Sequence, residues 1–463
     1  MSKGLVIAAT KSGSGKTTIT LALMAALIRR GLKVAPFKVG PDFIDPGHHT
    51  RITSTVSQNL DGWMLPRNWN ISGFNNRAKS ADIAVVEGVM GLFDGYDGRS
   101  DAGSTAQMAK WTGLPVLLVV DAASMARSAA ALVKGFEQFD PDLDFAGVLF
   151  NNIGSPRHLA YLEQALDGHV RMPCLGGVIR DTAIQIPERH LGLVTREEHE
   201  LSDQAVERLA DRIESSMDID ALIQSLPEIS QPLPASAQAT PRRNPSVRIG
   251  VARDRAFCFY YEDNLDLLAA AGAELVEFSP ITDPSLPENL DGLYFGGGYP
   301  ELFARQLAAN QSLRQEIRMR SDEGLPIYGE CGGFMYLCRE ITDTEGATYP
   351  MTGCFPMATR MNRRLRSLGY REITLKTDTL IGRQGSTVRG HEFHYSEIDG
   401  APVGIDTVYR VARRIGASSE LEGYRTSRTL GSYIHLHFGS RPEAADAFVA
   451  ACQDFRRERT RKQ

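Results

Sequence analysis

The chain opens with an apolar run, Leu5-Val6-Ile7-Ala8-Ala9. It leads into Thr10-Lys11-Ser12-Gly13-Ser14-Gly15-Lys16-Thr17-Thr18 and then into apolar residues at helical spacing, Ile19, Leu23, Ala26 and Leu27. A buried strand, a glycine loop and a helix in that order admit few folds. Loop N–H groups and the helix N-terminus make an anion cradle. Ser12, Gly13, Gly15, Lys16, Thr17 and Thr18 are therefore expected to hold ATP. Lys16 would neutralise phosphate, and the Thr17 hydroxyl would reach Mg²⁺.

The following segments repeat the strand–helix alternation. Lys33–Val39 reads as a strand ending in Gly40-Pro41-Asp42-Phe43-Ile44-Asp45-Pro46, followed by Gly47-His48-His49. Carboxylates at a strand's C-terminal end lie where open α/β sheets bind ligands. Asp42 is expected to hold metal and Asp45 to orient substrate, the reverse remaining open. Asp82–Gly88 is a third strand, with Glu87 as a metal ligand. Asp94 and Asp97 lie on the glycine-rich loop after it and are expected to close over substrate. Pro115–Asp121 and Phe145–Asn152 complete the pattern, with Asn151 placed where related folds read adenine. The fold class is α/β, with a doubly wound parallel sheet.

At 463 residues the chain exceeds one ordinary core. The segment 226–246 carries five prolines and little apolar periodicity, so it reads as a linker between domains 1–225 and 247–463. A net charge of −5 leaves no overall nucleic-acid footprint. Six cysteines without paired spacing fit a reducing compartment. The N-terminal apolar run is too short for a signal peptide, and none approaches the roughly 18 residues of a spanning helix. A cytoplasmic protein without membrane or nucleic-acid partners is expected, a homodimer remaining open.

In the second half, Arg248–Ala252, Glu274–Phe278 and Gly292–Phe295 read as strands, with a helix over 264–271. Leu325-Pro326-Ile327 reads as a short strand entering Tyr328-Gly329-Glu330-Cys331-Gly332-Gly333-Phe334, the G-x-C-x-G form of a nucleophile elbow. Gly297, Gly298 and Gly332 are expected to line an oxyanion loop. Gly431–Gly439 reads as one strand, with His435 and His437 on the same face and either one available as the base for Cys331. Gly390-His391-Glu392-Phe393-His394-Tyr395 lacks zinc spacing and reads as pocket lining. Arg360, Arg363, Arg364, Arg366 and Arg371 form a basic run, either a solvated loop or a polycarboxylate reader. The basic end, residues 456–462, reads as disordered.

The glycine loop, K-x-G-x-G-K-T from Lys11, resembles the deviant Walker A loop of the MinD and dethiobiotin-synthetase-like families. Together with Lys38–Pro46, Val86–Gly95, Glu188-Arg189-His190-Leu191-Gly192-Leu193, Phe295–Glu301, the Cys331 elbow and Gly390–Ser396, it resembles the cobyrinic acid a,c-diamide synthase family over essentially the whole chain. The resemblance implies a dethiobiotin-synthetase-like ATP domain followed by a flavodoxin-like class I glutamine amidotransferase domain. It implies a carbon–nitrogen ligase that amidates the a and c acetates of cobyrinic acid, using glutamine, ATP and Mg²⁺. It makes Cys331 the nucleophile and His435 its base, and it puts His437 where many class I amidotransferases have a glutamate. A protected ammonia path between the domains is expected. Hydrogenobyrinic acid and nickel sirohydrochlorin remain alternative substrates, and a MinD-like nucleotide switch is the alternative of another class.

Overall fold

In the computed structural model, residues 2–180, 201–229, 243–400, 404–412 and 420–462 are described. The chain divides into two compact units, Met1–Ala239 and Thr240–Gln463, and the division falls inside the 226–246 segment. Leu226–Ile229 nevertheless belong to the first unit, since Leu226 joins its core and the Ile229 N–H donates to the Ser2 carbonyl. The Glu188–Leu193 motif lies outside the described residues.

The first unit holds β1 (Lys3–Ala9), β2 (Val34–Val39), β3 (Gln58–Leu60), β4 (Ile83–Glu87), β5 (Val116–Asp121), β6 (Phe145–Ile153) and β7 (Cys174–Ile179). They form one parallel sheet in the order β3-β2-β4-β1-β5-β6-β7. Both faces are covered, which is why the strands are nearly continuous apolar runs. Leu5, Ile7 and Ala9 pack with Leu21 and Leu23 on one face, while Val6 and Ala8 pack with Phe37, Phe74 and Met108 on the other. Strands β2 and β3 lie to one side of β1, and β5 to β7 to the other. Such a reversal opens a crevice at the carboxyl ends of the strands.

The second unit begins with β8 (Val247–Ala252), β9 (Ala273–Phe278), β10 (Gly292–Phe295) and β11 (Ile327–Glu330). Short strands β12 (Glu340–Thr342), β13 (Thr348–Pro350) and β14 (Ala358–Met361) follow, then β15 (Ser367–Leu375), β16 (Thr387–His394) and β17 (Ser396–Asp399). The last are β18 (Asp406–Ala412), β19 (Glu420–Thr426), β20 (Thr429–Ser432) and β21 (His435–Leu436). The expected parallel sheet is present as β9-β8-β10-β11-β20, and the same sheet continues antiparallel through β19, β18, β15, β16 and β21. Buried and half-buried residues alternate there over Arg371–Leu375, the mark of strands covered mainly on one face. A separate sheet, β13-β12-β14-β17, lies beside it.

Three local expectations are corrected. The strand before the elbow is Ile327–Glu330, beginning at the residue where the expected Leu325–Ile327 strand ends. The 431–439 segment is not one strand: β20 pairs with β11, whereas β21 pairs with β16. Side chains satisfy the backbone at the break, because Glu422 accepts from the Tyr433 N–H (2.8 Å) and Ser432 Oγ from the Ile434 N–H (2.9 Å). The basic end is ordered in the helix Glu443–Lys462. Phe448, Cys452 and Phe455 anchor it at helical spacing, and Arg459 donates to Asp291 (2.8 Å). Among the described residues, no helix is long and apolar enough to cross a membrane.

Candidate active sites

The glycine loop leaves β1 and turns into the helix Lys16–Arg29 at Gly15, whose φ of +84° is left-handed. A Cβ at Gly15 would lie 2.1 Å from Asn151 Nδ2. That amide donates to the Ser14 carbonyl (2.9 Å), so the Asn151 nitrogen braces the loop itself. The end of β4 brings Glu87 to the same place, fully buried. The Thr17 hydroxyl donates to Glu87 Oε1 (2.6 Å), and Lys16 Nζ is 3.7 Å from that oxygen.

Two residues without an assigned role in the sequence reading complete this cluster. Lys38, buried at the end of β2, donates to Glu87 Oε1 (2.9 Å) and to Asp45 Oδ2. His49 Nε2 is bonded to Glu87 Oε2 (2.7 Å), and its Nδ1 meets Ser57 Oγ (3.1 Å). Burial opposes the charge of Glu87, but Lys38 and His49 outweigh it and hold the carboxyl well below its usual range. Burial also opposes the Lys38 charge, and Asp45, Glu87 and Asp42 reverse that, raising its pKa. Asp45 is pushed well up by burial, Asp42 and Glu87. Burial, then Lys38, lowers Lys16.

The two aspartates are placed differently. Asp45 Oδ2 is 3.4 Å from Thr17 Oγ1, whereas Asp42 Oδ1 accepts the N–H groups of Ile44 (2.8 Å) and Asp45 (3.1 Å) and so starts the helix Ile44–Thr53. Asp94 and Asp97 organise their own loop. Asp94 accepts from Gly91 (3.0 Å), and Asp97 from Arg99 (2.8 Å) and Ser100 (2.9 Å).

In the second unit, Cys331 sits between β11 and the helix Gly332–Leu337 at φ +48°, ψ −106°. A non-glycine residue in that region is strained, and the elbow is held from several sides. The Cys331 N–H donates to the Ser432 carbonyl (2.7 Å), three residues before His435, and the sulfur lies 3.9 Å from the Phe393 carbonyl. Burial pushes the thiol up, with Glu301 adding to the rise, while the Gly332 N–H works against it. Burial takes His435 down to about 3; His394 contributes to the fall and Glu392 opposes it. Burial thus favours the uncharged form of each group.

Gly297 has a different role from the one its glycine loop implied. Its N–H donates to the Phe259 carbonyl (3.1 Å), so it is not available to an oxyanion. Instead the His435 ring lies against it, and a Cβ there would fall 2.3 Å from His435 Cε1. Gly297→Ala is expected to lower glutamine-dependent turnover about 100-fold by displacing the ring. Ammonia-dependent turnover should stay at the wild-type level, and steady-state kinetics with each nitrogen donor checks both.

The Gly390–Tyr395 strand lies beside this site, because His391 is the register partner of His435. The two rings stack with centroids 4.8 Å apart, and Tyr261 Oη meets His391 Nδ1 (2.8 Å). On the other face, Glu392 binds Arg371 (2.7 Å) and His394 (2.7 Å). Burial opposes its charge, but His394 and Arg371 outweigh it and bring its pKa down to about 2. His437 caps the turn Phe438–Ser440, accepting from the Gly439 N–H (3.1 Å). The arginine run is dispersed, since Arg360 pairs with Asp399 (2.6 Å) and Arg366 with Glu397 (2.7 Å).

Residues 5–194 match the model of the CobQ/CobB/MinD/ParA nucleotide binding domain, and residues 248–443 that of the CobB/CobQ-like glutamine amidotransferase domain. A cobyrinate a,c-diamide synthase of Syntrophotalea carbinolica is 48% identical over 97% of this chain and 98% of its own. Those of Leptospira interrogans (44%; 97% and 98%) and Methanosarcina acetivorans (43%; 98% and 96%) are similar throughout as well. The chain belongs to the cobyrinate a,c-diamide synthase family. Within this cobyrinate a,c-diamide synthase framework, the glycine loop with Glu87 lies in the nucleotide-binding domain and the Cys331 elbow in the amidotransferase domain. Lys38, His49 and Glu330 were not singled out as functional residues by sequence reasoning. The one available signal was a charged or polar residue inside an apolar strand, as with Lys38 in Val34–Val39.

Proposed function

We propose that this chain amidates the a and c acetate carboxylates of cobyrinic acid, taking nitrogen from glutamine and energy from ATP. The observation that carries the reading is the coexistence, in a chain 48% identical to a cobyrinate a,c-diamide synthase, of an assembled cysteine elbow and a phosphate loop facing buried Glu87. A carboxylate resists ammonia because its leaving group would be oxide. Transfer of the γ-phosphoryl group makes an acyl phosphate, with phosphate as the leaving group.

Lys16 and the loop N–H groups hold the phosphates and stabilise charge as it develops. Thr17, Glu87 and Asp45 offer hard oxygens, and a set of only three leaves places for phosphate oxygens, which fits Mg²⁺. The metal would neutralise the phosphates there. Lys38 and His49 keep Glu87 ionised and oriented. In the second unit, Cys331 attacks the glutamine amide carbon as His435 takes its proton. The N–H groups of Gly298 and Gly332 receive the oxyanion, and ammonia leaves with that proton. Water then hydrolyses the thioester.

The test is incubation of the full chain with cobyrinic acid, glutamine and Mg·ATP, followed by mass spectrometry of the corrin. Two carboxyl-to-amide conversions are expected. A corrin left unchanged while glutamine is hydrolysed would remove the substrate and leave the amidotransferase.

A further inference from the structure

Class I amidotransferases commonly orient the base with a carboxylate two residues beyond it, and here that position is His437. We propose that Glu330, the residue preceding the nucleophile, is the positioning carboxylate of His435, facing its Nδ1 so that the other ring nitrogen takes the Cys331 proton. The inference rests on the amidotransferase reading of Cys331 and His435.

Glu330 ends β11, and alternation along the strand turns its side chain inward beneath the elbow, where it is 1% exposed. Three donors fix it. Oε1 accepts from Tyr328 Oη (2.7 Å) and from the Leu436 N–H (3.0 Å), while Oε2 accepts from Tyr294 Oη (3.1 Å). The Leu436 bond ties the carboxylate to the residue next to His435. Oε2 then lies 3.9 Å from His435 Nδ1, an ion-pair distance that tightens to a hydrogen bond once the ring is protonated.

The neighbouring carboxylates have other partners. Glu392 acts on His435 through space and opposes the fall in its pKa, but its oxygens are held by Arg371 and His394, while Glu422 holds the Ser432 hydroxyl (2.6 Å) and the Tyr433 N–H. Asp263 faces His437 Nε2 at 3.8 Å. Burial raises Glu330 to about 7 despite its donors, so it is charged above neutrality and uncharged below. The titratable groups around it are Tyr328, Tyr294, Tyr260, Tyr409, Cys331 and His435. Burial holds the four tyrosines un-ionised. During attack the thiol proton moves to His435 as the S–C bond forms, then leaves with ammonia as the C–N bond breaks. Glu330 stays ionised throughout and stabilises the transient imidazolium.

The experiment compares wild type, Glu330→Gln, Glu330→Asp and Tyr294→Phe as full chains. It measures glutamine hydrolysis against pH, and amidation with glutamine or with ammonium chloride. Glu330→Gln is expected to lose about 100-fold in kcat for glutamine. Its KM should stay within about threefold, its ammonia-dependent rate should be unchanged, and the acid limb near pH 7 should vanish. Glu330→Asp should recover part of the loss. Tyr294→Phe removes a donor to the carboxylate and should move the acid limb to higher pH, which keeps the test open if Glu330→Gln fails to fold.

A Glu330→Gln enzyme with wild-type turnover and an intact acid limb overturns the proposal. So does a loss carried by KM, or an acid limb that Tyr294→Phe leaves in place. A wild type that hydrolyses no glutamine, or a Cys331→Ala variant that still does, overturns the amidotransferase reading beneath it.

Discussion

Cys331→Ala is expected to abolish glutamine-dependent amidation, by at least about 1,000-fold, or roughly 4 kcal/mol of transition-state stabilisation. Amidation supported by ammonium chloride should remain near the wild-type rate. Each unit has its own hydrophobic cores, and the elbow lies wholly within the second, while Lys16, Thr17, Lys38 and Glu87 lie wholly within the first. Removing a sulfur atom from the second therefore leaves the phosphate loop as it was. Alanine has no nucleophile for His435 to activate, so no thioester forms and no ammonia is released. The measurement is kcat with each nitrogen source, and equal losses with both would contradict the division of labour.

Lys38→Met should have the largest effect on stability. It removes the cation between Glu87 and Asp45 and leaves both carboxylates buried without it. Breaking a buried charge network from one side costs about 3–5 kcal/mol. For a unit of this size that is a fall of roughly 6–20 °C in its melting temperature by calorimetry. Activity should be lost with glutamine and ammonia alike, because Lys38 holds Glu87 against Thr17 and Lys16 of the glycine loop. The double variant Lys38→Met/Glu87→Gln should recover part of the stability and none of the activity. A Lys38→Met protein as stable as wild type would mean that the two carboxylates do not depend on the lysine.

The contrast between these variants follows what was legible in the chain. The glycine loop, the strands around it and the elbow are each written in one contiguous stretch, so local pattern sufficed. Lys38, His49 and Glu330 gain their importance from residues far away in sequence, and only the sheet order brings them together. β4 lies beside β2, which sets Glu87 next to Lys38. β11 pairs with β20, just ahead of His435. Spacing alone did not separate Asp42 from Asp45 for a similar reason, because the use of Asp42 at the helix start shows only in three dimensions. The C-terminal end was read by its charge, whereas Phe448, Cys452 and Phe455 decide its structure. At 431–439 the alternation was real, but Ser432 and Glu422 supply side-chain bonds that let the chain change partners.

The elbow has an evolutionary corollary. A side chain at φ +48°, ψ −106° sits in a backbone conformation that costs on the order of 1–3 kcal/mol and that glycine adopts freely. Thermal robustness and turnover therefore pull this position in opposite directions. Under selection for heat resistance alone, Cys331 would drift to glycine early, and the chain would survive as a sturdier protein dependent on external ammonia.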